Sequence, residues 1–106
     1  MDSIPSSAGQ EDHVSMGMTS ARHARDVVAN AELVVSMEVL AAAQALDLRA
    51  PLEPGDATRS ARDAIREAVP FLDADRELRP DIDACTWLVR EGGLLAAVEA
   101  VAGPLD

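Results

Sequence analysis

The sequence predicts an all-α protein with one long helix followed by three shorter helices. Two observations lead to this class. Apolar and small residues recur at close to helical spacing over residues 12–48, and no segment shows the strict alternation that a half-buried strand requires. Prolines and glycines then divide the remaining residues into short segments, and no internal repeat is present.

The long helix is predicted from Asp12 to Leu48, where no proline occurs and Gly17 is the only glycine. Its second half, residues 33–43, is apolar on nearly all sides, and a helix of that kind must be surrounded by other elements. The segments that follow are too short to enclose it. We therefore expect its covering partners to lie in another chain or in a part of the protein that this sequence does not contain.

The three shorter helices follow a break at residues 51–55, where two prolines and a glycine end the long helix. The second helix is expected to start with Asp56 or Thr58 as its cap and to reach about Val69. The third covers residues 82–91 with Asp81 as its cap, and the fourth covers residues 94–101. We divide the chain into residues 1–50, the N-terminal loop with the long helix, and residues 51–106, the C-terminal helical segment.

Individual side chains of the C-terminal segment are assigned by their chemistry. Phe71 and Leu72 are expected to anchor the loop before the third helix, and Trp87 is expected in the core. Cys85 is the only cysteine, so an intrachain disulfide is impossible and a small buried hydrophobe is its expected role.

The composition limits the partners and the location of the chain. A net charge of −10 argues against binding nucleic acid or an anionic membrane surface. The N-terminus lacks a basic segment followed by an apolar one, which argues against a signal peptide, and the most apolar window is too short for a membrane span. We expect a cytoplasmic protein.

The candidate functional stretch is the junction between the polar loop at residues 3–9 and the start of the long helix. Ser7 and Gln10 have the spacing of a capping box, and Glu11 and Asp12 follow in the first turn. The exposed N–H groups of a helix start stabilise ionised carboxylates. The spacing therefore predicts anionic groups on a rigid helix end, although most acidic first turns serve only as caps.

Other kinds of site are not supported. Glu11, Asp12 and His13 are adjacent, so on a helix they point in different directions, and we expect no metal site. The serines lack the context of a nucleophile elbow, and no glycine-rich loop follows a strand.

A resemblance to a known family rests on residues 4–17, which read Ile-Pro-Ser-Ser-Ala-Gly-Gln-Glu-Asp-His-Val-Ser-Met-Gly, and on residues 39–49, 69–70, 75–76 and 80–81. In these segments the chain resembles the late active-site segment and the C-terminal portion of the aromatic amino acid lyase family. The similarity covers nearly the whole sequence, so it is more specific than a short motif.

The resemblance implies non-oxidative elimination of ammonia from an aromatic amino acid. In it Glu11 matches an active-site glutamate near the substrate's imidazole, and Gln10 matches a neighbouring substrate-binding glutamine. Relatives acting on phenylalanine or tyrosine generally lack that glutamate, so the resemblance favours L-histidine as substrate and urocanate as product. Whether Glu11 removes a proton or binds the imidazole stays open, and Gly9 departs from the Asn or Met of many members.

The resemblance also implies partners and a prosthetic group. Family members are helical homotetramers whose active sites draw residues from three subunits, and a methylidene-imidazolone group forms from an internal Ala-Ser-Gly. That tripeptide is absent from this chain. We therefore expect an inactive C-terminal piece of a lyase, with Met1 either starting a shortened reading frame or lying inside a longer one. The alternatives are a non-catalytic helical interaction or oligomerisation module, and a lyase for another aromatic amino acid.

Overall fold

A computed structural model describes the backbone of residues 9–106 and the side chains from Gly17 onward. These residues form four helices and no strand, which confirms the all-α class. The helices are α1 (Gly9–Leu48), α2 (Asp56–Ala68), α3 (Arg79–Arg90) and α4 (Gly93–Ala102). The chain divides into two compact units, residues 1–31 and residues 32–106, so α1 contributes to both.

The helix ends correct two predicted caps. Gly55 occupies the N-cap of α2 without a side-chain hydrogen bond, so neither Asp56 nor Thr58 caps that helix. α3 begins earlier than predicted because Pro80 fits its first turn, where a backbone N–H is not needed. Asp81 consequently lies within the first turn and is not the cap. Between α3 and α4, Gly92 has φ of 81°, in the left-handed region that glycine adopts without steric cost.

The core of residues 32–106 is small and is formed by side chains from α1, α2 and α3, together with the C-cap residue of α2. Its buried apolar members are Ala43, Ile65, Val69 and Cys85, and partly buried residues from α1, α3 and α4 pack around them. Ser60 in α2 also donates a 2.7 Å hydrogen bond to the carbonyl oxygen of Ala97 in α4. The predicted burial of Cys85 is confirmed, since its exposed fraction is 0%.

Burial raises the pKa of the Cys85 thiol above its ordinary value of 9.0. The cause is chiefly loss of solvation of the thiolate, reinforced by the negative charge of Asp81 and opposed by the positive charge of Arg66. The folded protein therefore favours the protonated thiol. A thiol in this state packs as an apolar group and is a poor nucleophile.

In the second half of α1 a polar side chain is buried while neighbouring apolar side chains are exposed. Ser36 is completely buried, and its hydroxyl donates a 2.6 Å hydrogen bond to the backbone oxygen of Glu32 one turn earlier. Around it, Leu33, Val34, Val35 and Met37 are 42–59% exposed. As predicted, the shorter helices do not enclose this segment.

Two aromatic side chains differ from expectation. Trp87 is 63% exposed, so its predicted place in the core is wrong. It follows the buried Cys85 by two positions, which on a helix turns a side chain about 200° away. Phe71 is also exposed, although its ring lies 5.8 Å from the guanidinium carbon of Arg66, within the range of a cation–π contact.

The connection between α2 and α3 is tied to α1 by Gln44. Its side-chain nitrogen donates to the carbonyl oxygen of Leu72 at 3.0 Å, and its oxygen accepts from the Leu72 N–H at 3.1 Å. The same oxygen accepts from Arg66 at 3.2 Å. One amide side chain thus satisfies both backbone groups of a loop residue, which fixes the loop against the helix.

Arginines of α2 and α3 complete the attachment of α1. Arg66 donates to Asp47 at 2.6 Å and to the backbone oxygen of Val69 at 3.1 Å. At the other end of the unit, Arg90 of α3 donates to Glu32 at 2.9 Å. Within the described part of the chain, no helix has the length and apolar character needed to cross a bilayer.

We predict that Gln44→Met lowers the free energy of unfolding of the chain by about 1–3 kcal/mol, because a partly buried N–H, C=O and guanidinium lose a partner. Urea denaturation followed by circular dichroism measures this change. Glu38→Met, an exposed position on the same helix, is the matched control and should change stability by less than about 0.5 kcal/mol. Equal losses in the two variants would contradict the role assigned to Gln44.

We also predict a pH dependence caused by Cys85. Because the folded thiol has a raised pKa, its stabilising effect is fully present below the pKa of the unfolded thiol and is lost as pH rises through the folded value. The chain contains no lysine or tyrosine to obscure this range. The stability difference between the wild type and Cys85→Ala should therefore shrink as pH rises from about 8 into the alkaline range. A constant difference over that range would contradict the prediction.

Candidate functional site

The predicted site residues lie at the start of α1. That helix begins at Gly9, so Gln10 and Glu11 belong to its first turn, where four backbone N–H groups have no partner within the helix. The side chains of Gln10, Glu11, Asp12 and His13 lie outside the described residues, as do residues 1–8 and with them the predicted Ser7 capping box. Their assignment stays a prediction.

His23 belongs to the same unit of the chain and has a described side chain. It is exposed. Among the described residues, no group of three or more His, Cys, Asp or Glu side chains is placed to hold a metal ion.

A cavity of about 290 Å³ lies between the second half of α1, the α2–α3 connection and the start of α3. We call it the α1–α3 cavity. Its apolar walls include Met37, Leu40 and Ala41 of α1, Leu72 and Leu78 of the connection, and Ile82 of α3. Four polar side chains, Gln44, Arg66, Arg76 and Asp81, also border it.

An ion pair forms the polar side of the α1–α3 cavity. Asp81 is buried, and one of its carboxylate oxygens accepts hydrogen bonds from two nitrogens of Arg76, at 3.1 Å and 2.9 Å. Arg76 also donates to the backbone oxygens of Pro70 at 2.8 Å and Phe71 at 3.2 Å. The guanidinium thus links the α2–α3 connection to the first turn of α3.

These polar groups are occupied by structural contacts. Each guanidinium nitrogen of Arg66 and of Arg76 donates to a protein oxygen, and both ends of the Gln44 amide are bonded. Groups engaged in this way stabilise a fold, and neither a guanidinium nor an amide offers a base or a nucleophile to a substrate. The cavity therefore has the character of an apolar packing surface.

Elsewhere in the described residues, two groups could suggest chemistry. The Cys85 thiol is buried and favours its protonated form, which makes it unreactive. The side-chain nitrogen Nε of Arg59 is buried without a hydrogen bond but lies 3.6 Å from a carboxylate oxygen of Glu53. Neither forms a site with neighbouring reactive groups.

The sequence alone did not indicate the α1–α3 cavity. Gln44 is the one amide in an otherwise apolar stretch of α1, and Arg76 precedes Asp81 by five residues. A polar residue within an apolar helix segment usually satisfies a buried partner, so Gln44 was a usable signal. The partner, a loop residue 28 positions later, could not be inferred from spacing.

Comparison with known proteins gives the same family over most of the chain. The model of the aromatic amino acid lyase family matches residues 1–67. Histidine ammonia-lyase of Symbiobacterium thermophilum is 59% identical over 106 residues, which are 100% of this chain and 21% of that protein. Histidine ammonia-lyase of Gloeobacter violaceus is 54% identical over the same length, with the same shares covered.

A third relative, histidine ammonia-lyase of an Anaeromyxobacter species, strain K, is 58% identical over 94 residues, or 89% of this chain and 18% of the relative. The chain thus spans about a fifth of the length of the curated relatives it matches. No solved structure matches it. With more than half of its residues matched by the family model, the chain belongs to the aromatic amino acid lyase family.

Proposed function

We propose that this chain is the C-terminal part of a histidine ammonia-lyase, which eliminates ammonia from L-histidine to give urocanate. The observation that carries the proposal is the 54–59% identity to histidine ammonia-lyases, which extends over all 106 residues. In the reaction the bond between the α-carbon and nitrogen breaks, a proton leaves the β-carbon next to the ring, and its electron pair forms the new double bond.

In this proposal Glu11 is the catalytic carboxylate and Gln10 binds the substrate. A carboxylate at the start of a helix is held in its ionised form by the helix N–H groups. It can remove the β-proton, or it can accept a hydrogen bond from the imidazole and orient the ring. Both roles need the same charged group in a fixed position, and the start of α1 at Gly9 supports such a mounting.

The prosthetic group cannot come from this chain. The tripeptide Ala-Ser-Gly does not occur in the sequence. We propose that the methylidene-imidazolone is supplied by the remaining part of the lyase, where it would activate the substrate for loss of ammonia. The chain by itself is then inactive, and its own contribution is the mounting of Gln10 and Glu11.

The assembly belongs to the same proposal. The exposed apolar residues around buried Ser36 favour contact with other protein, and we propose that they are covered in a cytoplasmic homotetramer. The same surface equally supports the alternative function, a helical interaction module without catalysis. A lyase for another aromatic amino acid is the second alternative, and the identity to relatives named histidine ammonia-lyase disfavours it.

A complementation experiment separates these functions. The partner is the Symbiobacterium thermophilum enzyme lacking the fifth that this chain matches. Mixed with this chain, it should produce urocanate from histidine, followed by ultraviolet absorbance, whereas each part alone should not. Association without urocanate would support the interaction module, and turnover of phenylalanine or tyrosine in place of histidine would support the second alternative.

We predict that Glu11→Gln lowers the turnover of the complemented enzyme by at least about 100-fold, because the neutral amide can neither remove a proton nor attract a charged ring. Glu91→Gln makes the same change at an exposed residue after α3 and should leave turnover unchanged. Near-normal activity of Glu11→Gln would remove Glu11 from the catalytic residues.

A further inference from the structure

We propose that an apolar side chain, from the part of the lyase subunit outside this chain, occupies the α1–α3 cavity. The inference rests on the proposed function, since it takes this chain to be a piece of a longer lyase. It concerns a surface within residues 32–106, which contain neither Gln10 nor Glu11.

The cavity opens to solvent and is large enough to accept a side chain from a partner. Packed protein segments reach the density of organic crystals, so a partner that covers α1 is expected to fill the cavity as well. An opening of about 290 Å³ with predominantly apolar walls has room for a large side chain. Water is a poor occupant, because an apolar cavity offers it few hydrogen bonds.

The polar groups at its border indicate that the occupant is apolar. Gln44 is bonded to Leu72 and Arg66, and Arg76 is bonded to Asp81 and to two backbone oxygens. These contacts are directed within the fold, and a polar ligand would need hydrogen-bond partners that the predominantly apolar walls do not offer. An aliphatic or aromatic side chain needs none, and it would contact Leu40, Leu78 and Ile82.

The source of the side chain follows from the length of polypeptide that is missing. Relatives that match this chain from end to end are about five times as long, so about four-fifths of their sequence lies outside it. On α1 the cavity adjoins the segment where Ser36 is buried and Leu33, Val34 and Val35 are exposed. Met37 belongs to both surfaces, so one partner segment can cover the exposed helix and fill the cavity together.

The test uses Ala41→Phe, which places a ring in the cavity from its α1 wall. The 106-residue variant should melt at the wild-type temperature, because the ring enters open space. Titration calorimetry measures association of the variant with the Symbiobacterium thermophilum enzyme that lacks the matched fifth. This association should weaken at least about tenfold, because the phenylalanine ring already occupies the cavity. Leu78→Phe narrows the opposite wall and should act in the same direction.

The matched control is Ala45→Phe, the same substitution one turn further along α1 at an exposed residue that does not border the cavity. It should leave association unchanged. Equal weakening by Ala41→Phe and Ala45→Phe would overturn the inference in favour of a broad helix contact. Unchanged association of both cavity variants would overturn it as well.

The measurement also separates this inference from the proposed function. Association that is sensitive to Ala41→Phe but yields no urocanate would support occupation of the cavity and count against the proposed lyase function. Turnover that is insensitive to Ala41→Phe would agree with the proposed lyase function and would overturn the proposal that a side chain occupies the cavity. The inference would be overturned if the unaltered chain failed to associate with the rest of the enzyme. It would also be overturned if Ala41→Phe abolished self-association of the chain but left its binding to the rest of the enzyme intact.

Discussion

The structure depends on one mismatch, between the apolar circumference of α1 and the small number of side chains available to cover it. From Leu33 to Ala43 the helix is apolar on nearly every side, yet only one stripe, which includes Ser36 and Ala43, is buried within residues 32–106. Burying apolar surface is the main force that stabilises folded proteins. A helix that buries a serine and exposes leucine, valine and methionine is therefore suited to neighbours on its outer side.

The contacts within residues 32–106 show how the inner stripe of α1 is held. The apolar core is small, and polar contacts do much of the positioning. Gln44 satisfies both backbone groups of Leu72, while Arg66 links Asp47 to the end of α2. Hydrogen bonds of this kind contribute modestly when formed but are costly to lose when their partners are buried. They fix the α2–α3 connection and thereby shape the α1–α3 cavity.

Much of this architecture could be predicted from the sequence. The apolar spacing and the positions of prolines and glycines were enough to locate all four helices to within a few residues, and the single cysteine was correctly placed in the core. The predicted caps failed because Gly55 and Leu78 occupy the N-cap positions, with Pro80 in the first turn of α3. Trp87 failed because residue type suggested burial, whereas its position relative to Cys85 decides which face it takes.

Only those parts of the candidate site that consist of residues close together in the sequence could be predicted. Glu11 and Gln10 were assigned from the junction of loop and helix and from the family resemblance, and their side chains lie outside the described residues. The α1–α3 cavity could not be predicted, because its walls come from residues 37–82 and meet only through tertiary packing. Long-range partners such as Gln44 and Leu72 leave no spacing signal in a single sequence.

The most direct measurement of the central claim is the oxidation rate of Met37, which lies on the outer side of α1 with 43% of its surface exposed. Peroxide converts an accessible methionine to its sulfoxide, and peptide mass spectrometry resolves the rate at each position. In the isolated chain Met37 should oxidise readily, and addition of the remaining part of a histidine ammonia-lyase should slow its oxidation at least about tenfold. An unchanged rate in a complex that has demonstrably formed would contradict the claim that α1 is built to be covered.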